Sequence, residues 1–104
     1  MSEERPPSKK SLLAIRKDPQ PTKSPPQQLP PWKVLLHNDD VNDMGYVVDT
    51  ITMLTNLRPP EARLRMLEAH HKGVALLLTT HQERAELYRD QFASRHLTVT
   101  IEPA

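Results

Sequence analysis

The residues of this chain best suited to chemistry gather in one stretch, VLLHNDDVNDMGYVV, residues 34–48. Asn38, Asp39 and Asp40 directly follow an apolar run, and Asn42 and Asp43 stand just before the chain turns apolar again. Further on, His70 and His71 close a second stretch of helical apolar period. Carboxylates and imidazoles together can act as general acids and bases or hold a divalent ion. The spacing favours neither use. Asp39 and Asp40 are consecutive, so in extended backbone their side chains point opposite ways. His70 and His71 are adjacent rather than four apart, which is the spacing that suits zinc ligands on a helix. No serine or cysteine nucleophile has a base near it in sequence, so no catalytic residue, metal ligand or cofactor is expected, and the chain is read as a non-enzyme.

Two other uses of the cluster stand open. In one it is only structural: Asn and Asp form turns, a histidine can bond the last carbonyls of a helix, and Met44 and Met66 fill the core. The chain would then be a general protein–protein interaction module. In the other, an amide oxygen, carboxylates and an imidazole surround one small site. That set suits an ammonium group, which presents three donors and no acceptor. If Met44, Val47 and Met66 line a hole beside it, the site takes an ammonium and an apolar side chain together. The first residue of a polypeptide has that chemistry.

Composition narrows the rest. A length of 104 residues indicates one small domain, and the absence of cysteine removes disulfide and thiol chemistry and fits a reducing compartment. A cytoplasmic protein is expected, since no apolar run approaches the ~20 residues of a membrane span and SLLAI, residues 11–15, is too short for a signal sequence. Eight of the eleven prolines fall in residues 1–31, which carry a net charge of +3, against −2 for residues 32–104. A nucleic-acid binder places its basic patch on the folded part, so neither nucleic acid nor membrane is expected as a partner. Residues 1–30 have too little to bury and are expected to form a disordered extension, and residues 31–104 to form the folded domain.

Within that domain, Trp32 to Leu36 reads as a strand. Asn42 or Asp43 can cap a helix that turns Met44, Val47, Val48, Ile51 and Leu54 to one side. Pro59-Pro60-Glu61 stops that helix and opens another, with Leu64, Met66 and Leu67 inward and Gly73 past its end. VALLLTT, residues 74–80, reads as a central strand. Thr80 and Glu83 have the spacing of a capping box before a third helix, which puts Ala85, Tyr88 and Phe92 on one face. HLTVTIE, residues 96–102, alternates as a last strand. The predicted fold is therefore α+β, in the order β-α-α-β-α-β, with three helices on one side of a three-stranded antiparallel sheet. No apolar stripe calls for a dimer, and a monomer is expected.

Three segments, WKVLLHNDDVNDMGYVVDTI, RLRMLEAHHKGVALLLT and HLTVTIEPA, together resemble ClpS, the N-end-rule adaptor family of the bacterial Clp protease. The resemblance covers residues 31–104. It rests on a strand ending in Asn-Asp-Asp, a methionine four positions past the last Asp, and a MLxAH helix end with a glycine three residues later. It implies an adaptor that captures proteins beginning with Leu, Phe, Tyr or Trp and hands them to the N-terminal domain of a ClpA-type AAA+ unfoldase. Carried over by position, Asn38, Asp39 and His70 are implied to surround the α-amino group, with Asp40 and Asn42 shaping the loop. Leu36, Met44, Val47, Met66 and Ala69 are implied to line the side-chain pocket, Met44 as a gate against β-branched residues. Glu83 is implied to contact the unfoldase, which also engages the extension. The chain departs from the family pattern at Asn42, where threonine is common, at Ala69, where valine is common, and at Asp43, Gly45 and Tyr88. Ala69 implies a roomier pocket, and Gly45 a looser first turn.

Overall fold

Trp32–His37 forms strand β1 because alternate residues, Val34 and Leu36, are apolar and fully buried while their neighbours are only partly covered. The structure, a computed structural model, describes residues 29–104, so the extension expected over residues 1–30 lies almost wholly outside the described residues. Helices α1 (Met44–Leu54) and α2 (Pro59–Lys72), strand β2 (Val74–Thr80), helix α3 (Gln82–Ala93) and strand β3 (Val99–Pro103) follow β1. The three-stranded sheet is antiparallel with the helices on one side, as predicted, and its strand order is β2-β1-β3. No described helix is long and apolar enough to cross a membrane.

The strand flanked on both edges is β1, not β2, which corrects the expectation for residues 74–80. The run VALLLTT looks central for two reasons. Val74 and Leu76 stand outward, 38% and 39% exposed, on the uncovered face of the sheet, where Leu76 pairs with Leu35. The register then shifts between Val34 and Leu35, so the extra residue, Leu77, and its neighbour Leu78 both turn toward the core. The last strand begins at Val99 rather than residue 96, because residues 94–96 form a tight turn in which His96 takes a left-handed φ of 67°. Leu97 follows the turn as a buried plug.

The helix faces are set by small residues as much as by large ones. On α2 the buried face is Ala62, Met66 and Ala69, at helical spacing. Leu64 falls on the opposite side of that face and is 65% exposed, against expectation, while Leu67 packs at the core's margin. Glu61 Oε1 accepts the Arg58 backbone N–H at 3.0 Å and secures the start of α2. The capping box expected at Thr80 and Glu83 does not form. Thr80 is the last residue of β2, paired with Trp32, and α3 starts after His81 without a side-chain cap. Ala85, Tyr88 and Phe92 do face inward, and Phe92 is the largest of the fully buried side chains.

Candidate functional site

Two chain reversals bring the acceptor residues together. At the end of β1, Asn38 leaves the sheet, and its backbone N–H is taken at 3.0 Å by the Gly73 carbonyl. Gly73 ends α2 in a left-handed conformation, φ 93°, while its own N–H bonds the Ala69 carbonyl at 2.8 Å. Such a helix end favours glycine, because a Cβ is disfavoured at positive φ. One backbone bond therefore fixes Asn38 relative to the last turn of α2, which carries His70.

The loop beyond Asn38 is ordered by its own carboxylates. Asp39 Oδ1 accepts the backbone N–H groups of Val41 and Asn42, each at 2.8 Å, and Oδ2 accepts Asn42 Nδ2 at 2.7 Å. Partial burial pushes the Asp39 carboxyl up. The hydrogen bonds from Asn42 and Val41 outweigh that and hold it below the ordinary carboxylate value. Asp40 Oδ1 accepts Asn38 Nδ2 at 3.1 Å. One N–H of the Asn38 amide is thus engaged, which turns Nδ2 toward Asp40, and no described residue bonds its Oδ1, which stands as an acceptor. Asp43, rather than Asn42, caps α1: its Oδ2 accepts the Gly45 N–H at 3.0 Å. A Cβ on residue 45 would sit 3.0 Å from that same oxygen, so the glycine accommodates a close cap.

Leu36, Val47, Met66 and Ala69 are buried and form the apolar wall of a narrow cavity that opens to solvent and has about 20 Å³ of free space. Asn38, Asp39, Asn42 and His70 line it together with these residues, and Met44, 45% exposed, completes the lining at the start of α1. The imidazoles of His70 and His71 meet edge to face with centroids 5.3 Å apart. Every residue expected at the amino-group site and the pocket lines this cavity except Asp40, which reaches it only through Asn38. Glu83 lies elsewhere, exposed in the first turn of α3. His37 lines the cavity too and was not anticipated; its place between the apolar run and Asn38 was the available signal. Among the described residues, no group of three His, Cys, Asp or Glu is gathered to hold a metal ion. The arrangement offers hydrogen-bond acceptors at the mouth of a small apolar hole.

A family model described as "ATP-dependent Clp protease adaptor protein ClpS" matches residues 27–100. The ATP-dependent Clp protease adapter protein ClpS of Gloeobacter violaceus is 42% identical over 76 residues, covering 72% of this chain and 82% of the relative. Its namesake from Synechococcus sp. strain CC9902 is 45% identical over 75 residues, with 71% and 72% of the two chains covered. Among solved structures, Agrobacterium tumefaciens ClpS2 bound to L-phenylalaninamide is similar with a TM-score of 0.67, over 72% of this chain and 98% of that one. At 23% identity, that likeness speaks for the fold.

Proposed function

Because the chain belongs to the ClpS family of ATP-dependent Clp protease adaptors, we propose that its cavity receives the first residue of a polypeptide, with a free α-amino group and a Leu, Phe, Tyr or Trp side chain. The observation that carries this reading is the turning of the Asn38 amide. With Nδ2 held by Asp40, Asn38 meets a ligand as an acceptor. An ammonium, all donors, suits that polarity. A neutral His70 imidazole supplies a second acceptor nitrogen, and the Asp39 carboxylate adds negative charge to the lining. Below them, Leu36, Val47, Met66 and Ala69 offer only apolar surface. Burying a Leu or Phe side chain there supplies roughly 1.5–3 kcal/mol, and each hydrogen bond to the charged amine a further ~1.5–3 kcal/mol. The fold relative from A. tumefaciens holds a ligand of that kind, L-phenylalaninamide.

Met44 acts as the gate. With the amine held at the mouth, the Cβ of the first residue lies beside the rim, and a branch there meets Met44 before it meets the deeper wall. The captured protein passes to a ClpA-type unfoldase through Glu83. Strand β2 runs from Val74, opposite His37, to Thr80, opposite Trp32, and α3 starts just beyond it. Glu83 is therefore about a strand's length from the site, roughly 20 Å at ~3.3 Å per residue, so peptide and unfoldase can be held together.

A crossed set of variants tests both halves. Asn38→Ala and His70→Ala should each weaken a Phe-initiated peptide by about ten- to a hundredfold in fluorescence anisotropy, the cost of one hydrogen bond to a charged group. Both should still bind the unfoldase N-terminal domain. Glu83→Arg should do the reverse. Unchanged peptide affinity in Asn38→Ala and His70→Ala would reduce the polar cluster to a structural loop.

A further inference from the structure

The gate residue is not held in place by packing. Met44, Gly45 and Tyr46, the first three residues of α1, are all exposed, and the helix is anchored in the core only from Val47 onward. The first turn is fastened instead to the turn between α3 and β3. Asn42 Nδ2 donates to the His96 carbonyl at 3.0 Å as well as to Asp39. The Tyr46 hydroxyl donates to the Arg95 carbonyl at 2.9 Å. Farther along α1, the Arg95 guanidinium donates to the Met53 sulfur at 3.4 Å. The left-handed conformation of His96, uncommon for a residue with a side chain, accompanies the exposure of two successive carbonyls to α1.

Asn42 and Tyr46 stand two residues on either side of Met44, and each is tied to one of those carbonyls. We infer that the 95–96 turn sets the stiffness of the gate, with Asn42 and Tyr46 as positioning residues that keep Met44 from yielding to a β-branched first residue. The inference rests on the reading of the cavity as a site for the first residue of a polypeptide. Methionine is a flexible side chain, and Gly45 beside it weakens the helix locally. A rim built from these two residues discriminates by shape only if its backbone is pinned on both sides. The two carbonyls supply the pins. The Tyr46 bond touches neither the ligand nor the 38–42 loop, so loosening it changes which first residues enter, whereas loosening Asn42 also frees Asp39 at the amine site.

The test is the affinity ratio between Phe-initiated and Val- or Ile-initiated peptides, measured by fluorescence anisotropy on the full chain. Tyr46→Phe removes only the hydroxyl and should narrow the ratio by about threefold. Asn42→Ala also removes a donor from Asp39, so combining it with Tyr46→Phe should weaken all three peptides, the Phe peptide most, and narrow the ratio by about tenfold. A merely structural role would weaken all three peptides in proportion and leave the ratio unchanged, and that result would overturn the inference. Thermal melts identify a variant that fails to fold, and Tyr46→Phe, which loses a single exposed bond, carries the test in that event. Failure of the unaltered protein to bind the Phe-initiated peptide would instead remove the first-residue reading, and this inference with it.

Discussion

At the residue scale, two neighbouring carboxylates divide the work. Asp40 turns the Asn38 amide, and Asp39 organises the loop through three hydrogen bonds. Those bonds make Asp39 a source of pH-dependent stability. Its carboxyl sits below the ordinary value in the folded chain. The stabilisation is therefore fully present above the unfolded-state value and is lost as pH falls through the folded one. Asp39→Asn should remove this component: in urea melts at successively lower pH, its stability should fall less steeply in the acid range than that of the unaltered chain. Parallel curves would show that Asp39 does not hold the loop in this way. The residue types at 38–40 were legible as an acceptor set, but the division of roles was not. Which carboxylate bonds which donor depends on backbone turns that the sequence does not spell out. The partner of Asn42 was hidden for a stronger reason, since the His96 carbonyl belongs to no side chain.

At the scale of elements, the site depends on how β1 and α2 end. The Gly73 carbonyl joins them by accepting the Asn38 N–H, and this requires the left-handed conformation of Gly73. No atom lies within 4 Å of where a Gly73 Cβ would be, so Gly73→Ala meets no clash. Its cost is the conformation itself, about 1–2 kcal/mol by thermal or urea denaturation. A neutral effect would mean that the α2 end is less constrained than this hydrogen bonding implies. Element order was readable because apolar periods and the Pro59-Pro60 and Gly73 signals agree. Burial was less so. Leu64 is a leucine with nothing to cover, because Ala62, Met66 and Ala69 already define the inward face of α2. The apolar run of β2 combines outward residues, a register shift and a single sheet partner, which composition alone cannot separate from a central strand.

For the whole molecule, the proposed peptide cavity lies at one end of the sheet and the proposed unfoldase contact at the other, with β1 and β2 spanning the distance between them. Among the described residues, the buried core runs from Val34 to Val99, and the cavity's apolar wall is part of it. Under the proposed function this cavity recognises a charged amino terminus and its side chain together. The most direct measurement compares three fluorescent peptides by anisotropy: one beginning with a free Phe, the same peptide N-acetylated, and one extended by Met before the Phe. Acetylation removes the charge and two of the three ammonium donors, leaving Asn38 and His70 under-satisfied at the mouth. The free peptide should bind, and acetylation and extension should each weaken it by more than about a hundredfold. Comparable affinity for all three peptides would contradict the proposed function.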